Sequence, residues 1–440
     1  MTTTRTPPAA AEVIAVQPGH PLMGTVAVDG SKNAALPLLA AAAAVSRPVN
    51  VVNVPANTDV QTMLALLKTA GWQVTQLVDT SHQVVIRPSD EALTDPDLAT
   101  AARIRASYYL VPALLARYGR AWLPWPGGCR IGDRGMDQHF EVYKAFGDRV
   151  VVDDRGYRVD SMVRPLGSTV SVTLPYRSRG ASIAAVLRAV TTHQPLRLGW
   201  PNLSPEALSV LTAIRSAGWQ CRISERVLSV TPPVSPSDEP LAWSVPGDKI
   251  EAGTLGCAVA VSGGTARIEG VRGRDVAPLA AALSWLGIPS SVQADALIVD
   301  GQNARPSHRP LRAVASLSPG RLDADFEPPL MALALTRPGT HSFADSINPG
   351  RHGNLLPQLA RLGADIVEIS GTRCRLTGPQ RLTGAGVEAT DIRTGSALMV
   401  AGLTARGVTT LGGVDQLRRG HADLPGKLLS LGADITEVTP

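Results

Sequence analysis

Six copies of one short pattern divide this 440-residue chain. Each copy is an apolar helical stretch that runs into a glycine and then a short β-rich run. The copies are "MLALLKTAGWQVTQL", "FEVYKAFGDRVVV", "LTAIRSAGWQCRI", "LAAALSWLGIPSSV", "LPQLARLGADIVEI" and "LPGKLLSLGADITEV". Their glycines are Gly71, Gly147, Gly218, Gly287, Gly363 and Gly432, at intervals of 69–76 residues. Apolar residues at i, i+3 and i+4 give each helix one buried stripe. The glycine supplies the left-handed residue that closes the helix before the chain turns into a strand. Upstream of each lies a second, alanine-rich helical stretch: "SKNAALPLLAAAAAV", "IRASYYLVPALLARYG", "GASIAAVLRAVTTH", "DKIEAGTLGCAVAVSGG", "DADFEPPLMALALTRPG" and "TGSALMVAGLTARG". A unit of about 70 residues exceeds the roughly 20–50 residues of a linear solenoid repeat. Six such units predict an α/β (α+β) chain in two globular halves of three units each.

Composition narrows the function classes. The length fits two or three domains, and 44% hydrophobic residues supply their cores. No apolar run reaches the roughly 18 residues of a membrane span; the nearest, "ALPLLAAAAAV", reads as a buried helix. The N-terminus has no basic start followed by an apolar stretch, so it is not a secretory signal. Four cysteines (Cys129, Cys221, Cys257, Cys374) lie far apart, with no CxxC pair and no histidine at ligand spacing. The expectation is a reducing cytoplasm, with neither a disulfide framework nor a metal site. Arginine makes up 37 of the 42 basic residues, scattered rather than clustered, and aromatics are only 4%. With no basic stripe or stacking platform, nucleic acid is not the expected partner; scattered arginines fit a small anionic substrate or simply a high-GC genome, which accounts for most of the excess.

One cysteine stands apart. In "LPWPGGCRIGDRGMDQH", Cys129 sits among prolines, glycines and the arginines Arg130 and Arg134. Such a run holds neither a helix nor an interior strand and reads as a loop. Neighbouring guanidiniums favour the thiolate, so this thiol is set for chemistry rather than packing. A cysteine hydrolase would need His139 as its base, and no oxyanion motif stands out beside it. Cys221, Cys257 and Cys374 fall within the repeat pattern and read as packing residues.

The motifs "KNAALP", "RAS", "PGGCxIGxRxxDxH", "IEAGT", "DIRTGSAL" and "RRGH" occur here in the order found in the enolpyruvyl transferases. From about residue 21 to 438 the chain resembles that family, and within it the UDP-N-acetylglucosamine 1-carboxyvinyltransferase branch more than the shikimate-phosphate branch. The resemblance implies two domains of three βαβαββ units each, with the active site in the cleft between them. One domain is inserted in the other, giving 1–31 with 246–440 and 32–245. It also implies a monomer that needs no cofactor or metal and takes phosphoenolpyruvate and a uridine nucleotide as substrates.

Residue roles carry over position by position. Lys32, Arg134 and Arg419 match the cations on the phosphate side of phosphoenolpyruvate, with Asn33 beside them. Arg351 and Arg393 match the carboxylate side. Asp325 matches the aspartate that contacts the acceptor hydroxyl and serves as base, with Asp323 as the alternative. Cys129 matches the acid on a lid loop, and Lys32 and Arg134 join it and Asp325 as catalytic residues. Arg105, Arg134, Asp137, Ser178, Arg179, Gly180, Asp325 and Ile347 match acceptor contacts. The sugar-contacting part has drifted: "FEPP" replaces the glutamines after Asp325, and "NPGRHG" replaces "ENRFMH". The usual lysine near Tyr176 is absent, while Arg177 and Arg179 flank Ser178. This combination predicts a changed acceptor, a UMP-type uridine nucleotide of nucleoside antibiotic biosynthesis. The alternative is UDP-N-acetylglucosamine in peptidoglycan biosynthesis.

Overall fold

The repeat is visible first in the backbone. In the computed structural model, which describes residues 12–77, 82–89, 98–125, 127, 135–162, 168–224, 226–235, 237–316, 318 and 320–438, all six repeat glycines have positive φ, from 82° to 97°. Each closes its helix with the same pair of hydrogen bonds. Gly71 donates to Lys68 and Trp72 to Leu67, and the equivalent bonds recur at Gly147, Gly218, Gly287, Gly363 and Gly432. This is the Schellman ending, which only a residue without a Cβ adopts without strain. A strand follows every time: Gln73–Leu77, Arg149–Val152, Gln220–Ile223, Ser290–Val292, Ile366–Ser370 and Asp434–Val438.

The chain forms two compact units. One takes the chain up to Val28 with Lys249–Ser316 and the residues from Gly320 on; the other is Asp29–Asp248. Each has its own hydrophobic core and three small sheets, six in all among the described residues. Five of the sheets contain one parallel pair among antiparallel ones, such as Met23–Ala27 beside Thr265–Glu269 and Val49–Val52 beside Leu241–Ser244. The entry and exit of the continuous unit lie side by side. Gly30 bridges Gly247, and Asp248 N–H donates to the Asp29 carbonyl at 2.7 Å.

The alanine-rich helices fill the two cores. Lys32–Ala44, Val111–Tyr118 and Arg179–Thr192 pack on one another in the continuous unit, and Lys249–Ser262, Glu327–Ala334 and Ile392–Gly402 do so in the other. Alanine and glycine suit helices buried on every side because small side chains let three backbones approach closely. "IRASYYLVPALLARYG" departs from the single helix that its pattern suggests. It is a 3-10 turn, Arg105–Leu110, followed by an α-helix from Val111. Pro112 has no N–H to donate and its ring would clash with the carbonyl four residues back, so the α-helix starts around it. Among the described residues no helix is long and apolar enough to cross a membrane.

Candidate functional site

Helix starts position most of the expected residues, and they do so against the usual electrostatic rule. A helix N-terminus carries partial positive charge, and a cation there costs about 0.3–1 kcal/mol. Yet Lys32, Arg179, Lys249 and Arg351 are each the first residue of a helix, and Arg393 is the second of another. Cations and helix dipoles that point the same way make sites for anions.

In the continuous unit, Lys32 is buried and its Nζ lies 3.2 Å from Asp59 Oδ2, at the start of the helix Thr58–Thr69. Removing one member of a buried pair costs about 3–5 kcal/mol, more than the dipole penalty, so the pairing decides where the lysine stays. Asn33 follows it, half-buried. The helix Lys32–Ala44 packs against the turn Arg105–Leu110, which in turn touches the helix Arg179–Thr192. Ser178 caps that last helix, its Oγ accepting from Ala181 N–H at 3.3 Å. Arg179 Nε lies 3.7 Å from Glu206 Oε2. Gly180 leaves no room for a side chain, since a Cβ there would sit 2.4 Å from His139 Nε2 and 2.9 Å from the Tyr108 hydroxyl. Burial, and then the charge of Arg105, hold His139 neutral with a pKa lowered to about 3. Asp137 opens the helix Asp137–Ala145 and is exposed. Cys129 and Arg134 lie outside the described residues.

In the other unit a chain of ion pairs surrounds Asp325. Lys249 Nζ donates to Asp323 Oδ2 at 2.7 Å. Asp323 Oδ1 accepts the N–H of Asp325 at 2.9 Å, which starts the 3-10 turn Ala324–Phe326. Arg393 grips Asp325 with both arms of its fork, Nε to Oδ1 at 2.8 Å and Nη2 to Oδ2 at 3.0 Å. Arg351 Nη2 reaches Oδ1 at 3.1 Å. Such bidentate pairing is the geometry of an ionised carboxylate. Arg351 is 1% exposed; its Nη1 donates to the Ala324 carbonyl and lies 3.2 Å from Asp345 Oδ2. Asp345 Oδ1 in turn accepts the N–H groups of Ile347 and Asn348, which fixes the turn that carries half-buried Ile347. Asp391 caps the helix of Arg393 through the N–H groups of Arg393 and Thr394. Arg419 follows the helix Val414–Arg418, half-buried, with Nη1 3.4 Å from Gln416 Oε1.

The structure therefore joins Asp325 directly to Arg351 and Arg393, and Gly180 to its neighbour His139. Asp323 is tied to Lys249 and to the Asp325 backbone. Sequence reasoning missed Asp59, Lys249 and Asp345, the partners that hold these groups. Lys249 had a usable signal. "SKNAAL", "SRGASI", "DKIEAG", "GRHGNL" and "DIRTGS" all place a basic residue at a helix start. Cys221, Cys257 and Cys374 are buried, and burial pushes their thiols up, to about 12 for Cys374. Among the described residues no three His, Cys, Asp or Glu side chains are grouped to hold a metal.

Two units of three sheets each, one of which holds an aspartate clasped by Arg351 and Arg393, fit an enolpyruvyl (1-carboxyvinyl) transferase. The family model described as EPSP synthase (3-phosphoshikimate 1-carboxyvinyltransferase) matches residues 16–428, and the chain belongs to that family. It is 34% identical over 434 residues to UDP-N-acetylglucosamine 1-carboxyvinyltransferase 3 of Symbiobacterium thermophilum, covering 96% of each chain. It is 31% identical over 425 residues to UDP-N-acetylglucosamine 1-carboxyvinyltransferase 1 of Streptococcus agalactiae, covering 96% of this chain and 98% of that one. Its fold matches the enolpyruvyl transferase NikO from Streptomyces tendae with a TM-score of 0.85 and 24% identity, over 98% of this chain and 100% of that one. EPSP synthase from Acinetobacter baumannii shares the fold at a TM-score of 0.74 and 15% identity, over 97% and 100%.

Proposed function

We propose that the protein transfers the enolpyruvyl group of phosphoenolpyruvate to a hydroxyl of a UMP-type uridine nucleotide, releasing phosphate, as a cytoplasmic monomer in nucleoside antibiotic biosynthesis. In this reading Lys32, Asn33, Arg134 and Arg419 take the phosphate of phosphoenolpyruvate, and Arg393 and Arg351 its carboxylate side. Asp325 accepts the proton of the acceptor hydroxyl as that oxygen attacks C2 of the enol. Cys129 delivers a proton to the methylene carbon. The tetrahedral adduct then loses the methyl proton and phosphate, which restores the double bond. Arg105, Asp137, Ser178, Arg179, Gly180 and Ile347 are assigned to the acceptor. The observation that carries the reaction is the Asp325 carboxylate held in place by Arg351 and Arg393, because a general base must be positioned within reach of the proton it takes.

The choice of acceptor rests on the two drifted segments. Glu327, of "FEPP", is fully buried and bound to His352, of "NPGRHG". Its carboxylate is turned to the protein interior, away from any role in reading a sugar. UDP-N-acetylglucosamine is the second reading, favoured by the names of relatives that are 31–34% identical. The two separate when the enzyme is offered phosphoenolpyruvate with UMP, uridine, UDP-N-acetylglucosamine or shikimate 3-phosphate in parallel and phosphate release is followed. Turnover with UMP is expected. Turnover with UDP-N-acetylglucosamine and none with UMP would reject the acceptor while leaving the transfer reaction intact.

A further inference from the structure

Two buried side chains next to the Asp325 network take no part in the reaction as drawn. His352 Nε2 lies 2.7 Å from Glu327 Oε1, and the two residues are 1% and 0% exposed. Glu327 is two residues past Asp325 and begins the helix Glu327–Ala334, while His352 is next to Arg351 in the first turn of the helix Arg351–Arg361. The first turn of the helix Arg351–Arg361 is thus fastened twice, by Arg351 to Asp325 in the 3-10 turn Ala324–Phe326 and by His352 to Glu327 at the start of the helix that follows it. Among the described residues Glu327 Oε2 and His352 Nδ1 are buried without a hydrogen-bond partner, and the bond between Glu327 Oε1 and His352 Nε2 ties the two side chains together.

Burial alone would strip the proton from His352. The hydrogen bond and charge of Glu327, with Asp345 behind it, outweigh burial and the opposing charge of Arg351, and leave the imidazole pKa raised. Cys374, on the strand Arg373–Gly378, is a further titratable group that feels Glu327. Burial first, then Glu327 and Glu368, push its thiol up, so it stays neutral.

We propose that Glu327 and His352 are a positioning pair that sets how Arg351 meets Asp325 and thereby aims the base at the acceptor hydroxyl. The proposal rests on the reading of Asp325 as base. Neither partner touches substrate, since both are sealed in the interior. The sign of the pH effect follows from the raised histidine. Its pairing is complete below about pH 6.5, the unperturbed value, and is lost as pH rises through the higher folded value. Turnover should therefore fall on the alkaline side as His352 loses its proton and the ion pair is broken.

The test measures kcat, KM and melting temperature against pH for the wild type, Glu327→Gln, His352→Gln, the double variant and Asp325→Asn. Each single variant is expected to lower kcat, by up to about 10²-fold for a misplaced reacting group. The histidine-dependent alkaline limb should vanish, and the double variant should be no worse than the poorer single. Unchanged kcat and an unchanged alkaline limb in both singles would overturn the pairing role. So would a drop in melting temperature with the pH profile of the remaining activity unaltered. An Asp325→Asn variant that keeps turnover would remove the base reading instead. If the glutamine variants do not fold, the His352 titration followed by NMR in wild type and Asp325→Asn decides. A difference supports coupling between the two pairs, and identical curves overturn it.

Discussion

Asp325 divides two carboxylate oxygens among three guanidinium nitrogens, and that sharing sets what a substitution there would do. Removing its charge would leave Arg351 with Asp345 and free the fork of Arg393 from its carboxylate partner. Asp325→Asn should therefore cut turnover by about 10²–10⁴-fold, the range for one acid–base group. Binding of phosphoenolpyruvate, measured by calorimetry with acceptor present, should be kept or tightened, because a competing anion has gone. Weakened binding with turnover preserved would show that Asp325 holds the cations and does not act as base. The same arithmetic explains why Arg351, written into the sequence as one more arginine, is among the most deeply buried charges of the chain. Its neighbours Asp325 and Asp345 lie 26 and 6 residues away in sequence, and nothing local announces either.

Helix ends are where reading the sequence worked and where it stopped. The six glycine endings were legible because periodicity and a left-handed residue are signals within a few neighbouring residues. Pairings such as Lys249 with Asp323 or Arg393 with Asp325 span 74 and 68 residues, and only the packing of helices selects them. Gly180 lies between these cases. Resemblance alone proposes it as an acceptor contact, and its packing against His139 and Tyr108 was not legible. The two rings are fixed edge-on, with centroids 4.6 Å apart at 63°. A methyl group at 180 must therefore lift the first turn of the helix Arg179–Thr192. Gly180→Ala is expected to cost about 1–3 kcal/mol by overpacking and to raise KM for the acceptor more than KM for phosphoenolpyruvate. A companion His139→Ala should recover part of that loss; steady-state kinetics and melting curves on the three variants check it.

At the scale of the whole molecule, the chain order has a consequence for how the protein is made. The strand Val13–Gln17 lies between Thr409–Gly412 and Asp434–Val438, so it leaves the ribosome well before either of its partners and waits for both. At about 5–20 residues per second that wait is on the order of tens of seconds, and an unpaired strand edge is an invitation to aggregate for as long as it lasts. Asp29–Asp248 needs no such delay, since its sheets and core close within its own span. A fragment of residues 29–248 should unfold cooperatively in denaturant. Chains stopped before residue 409 should leave the amides of residues 13–17 open to hydrogen exchange. A fragment without a cooperative transition would mean that the inserted unit needs the rest of the chain to fold. If it does fold alone, it can mature on the nascent chain while its host still lacks a strand, and the cell's chaperones would have only the split unit to guard.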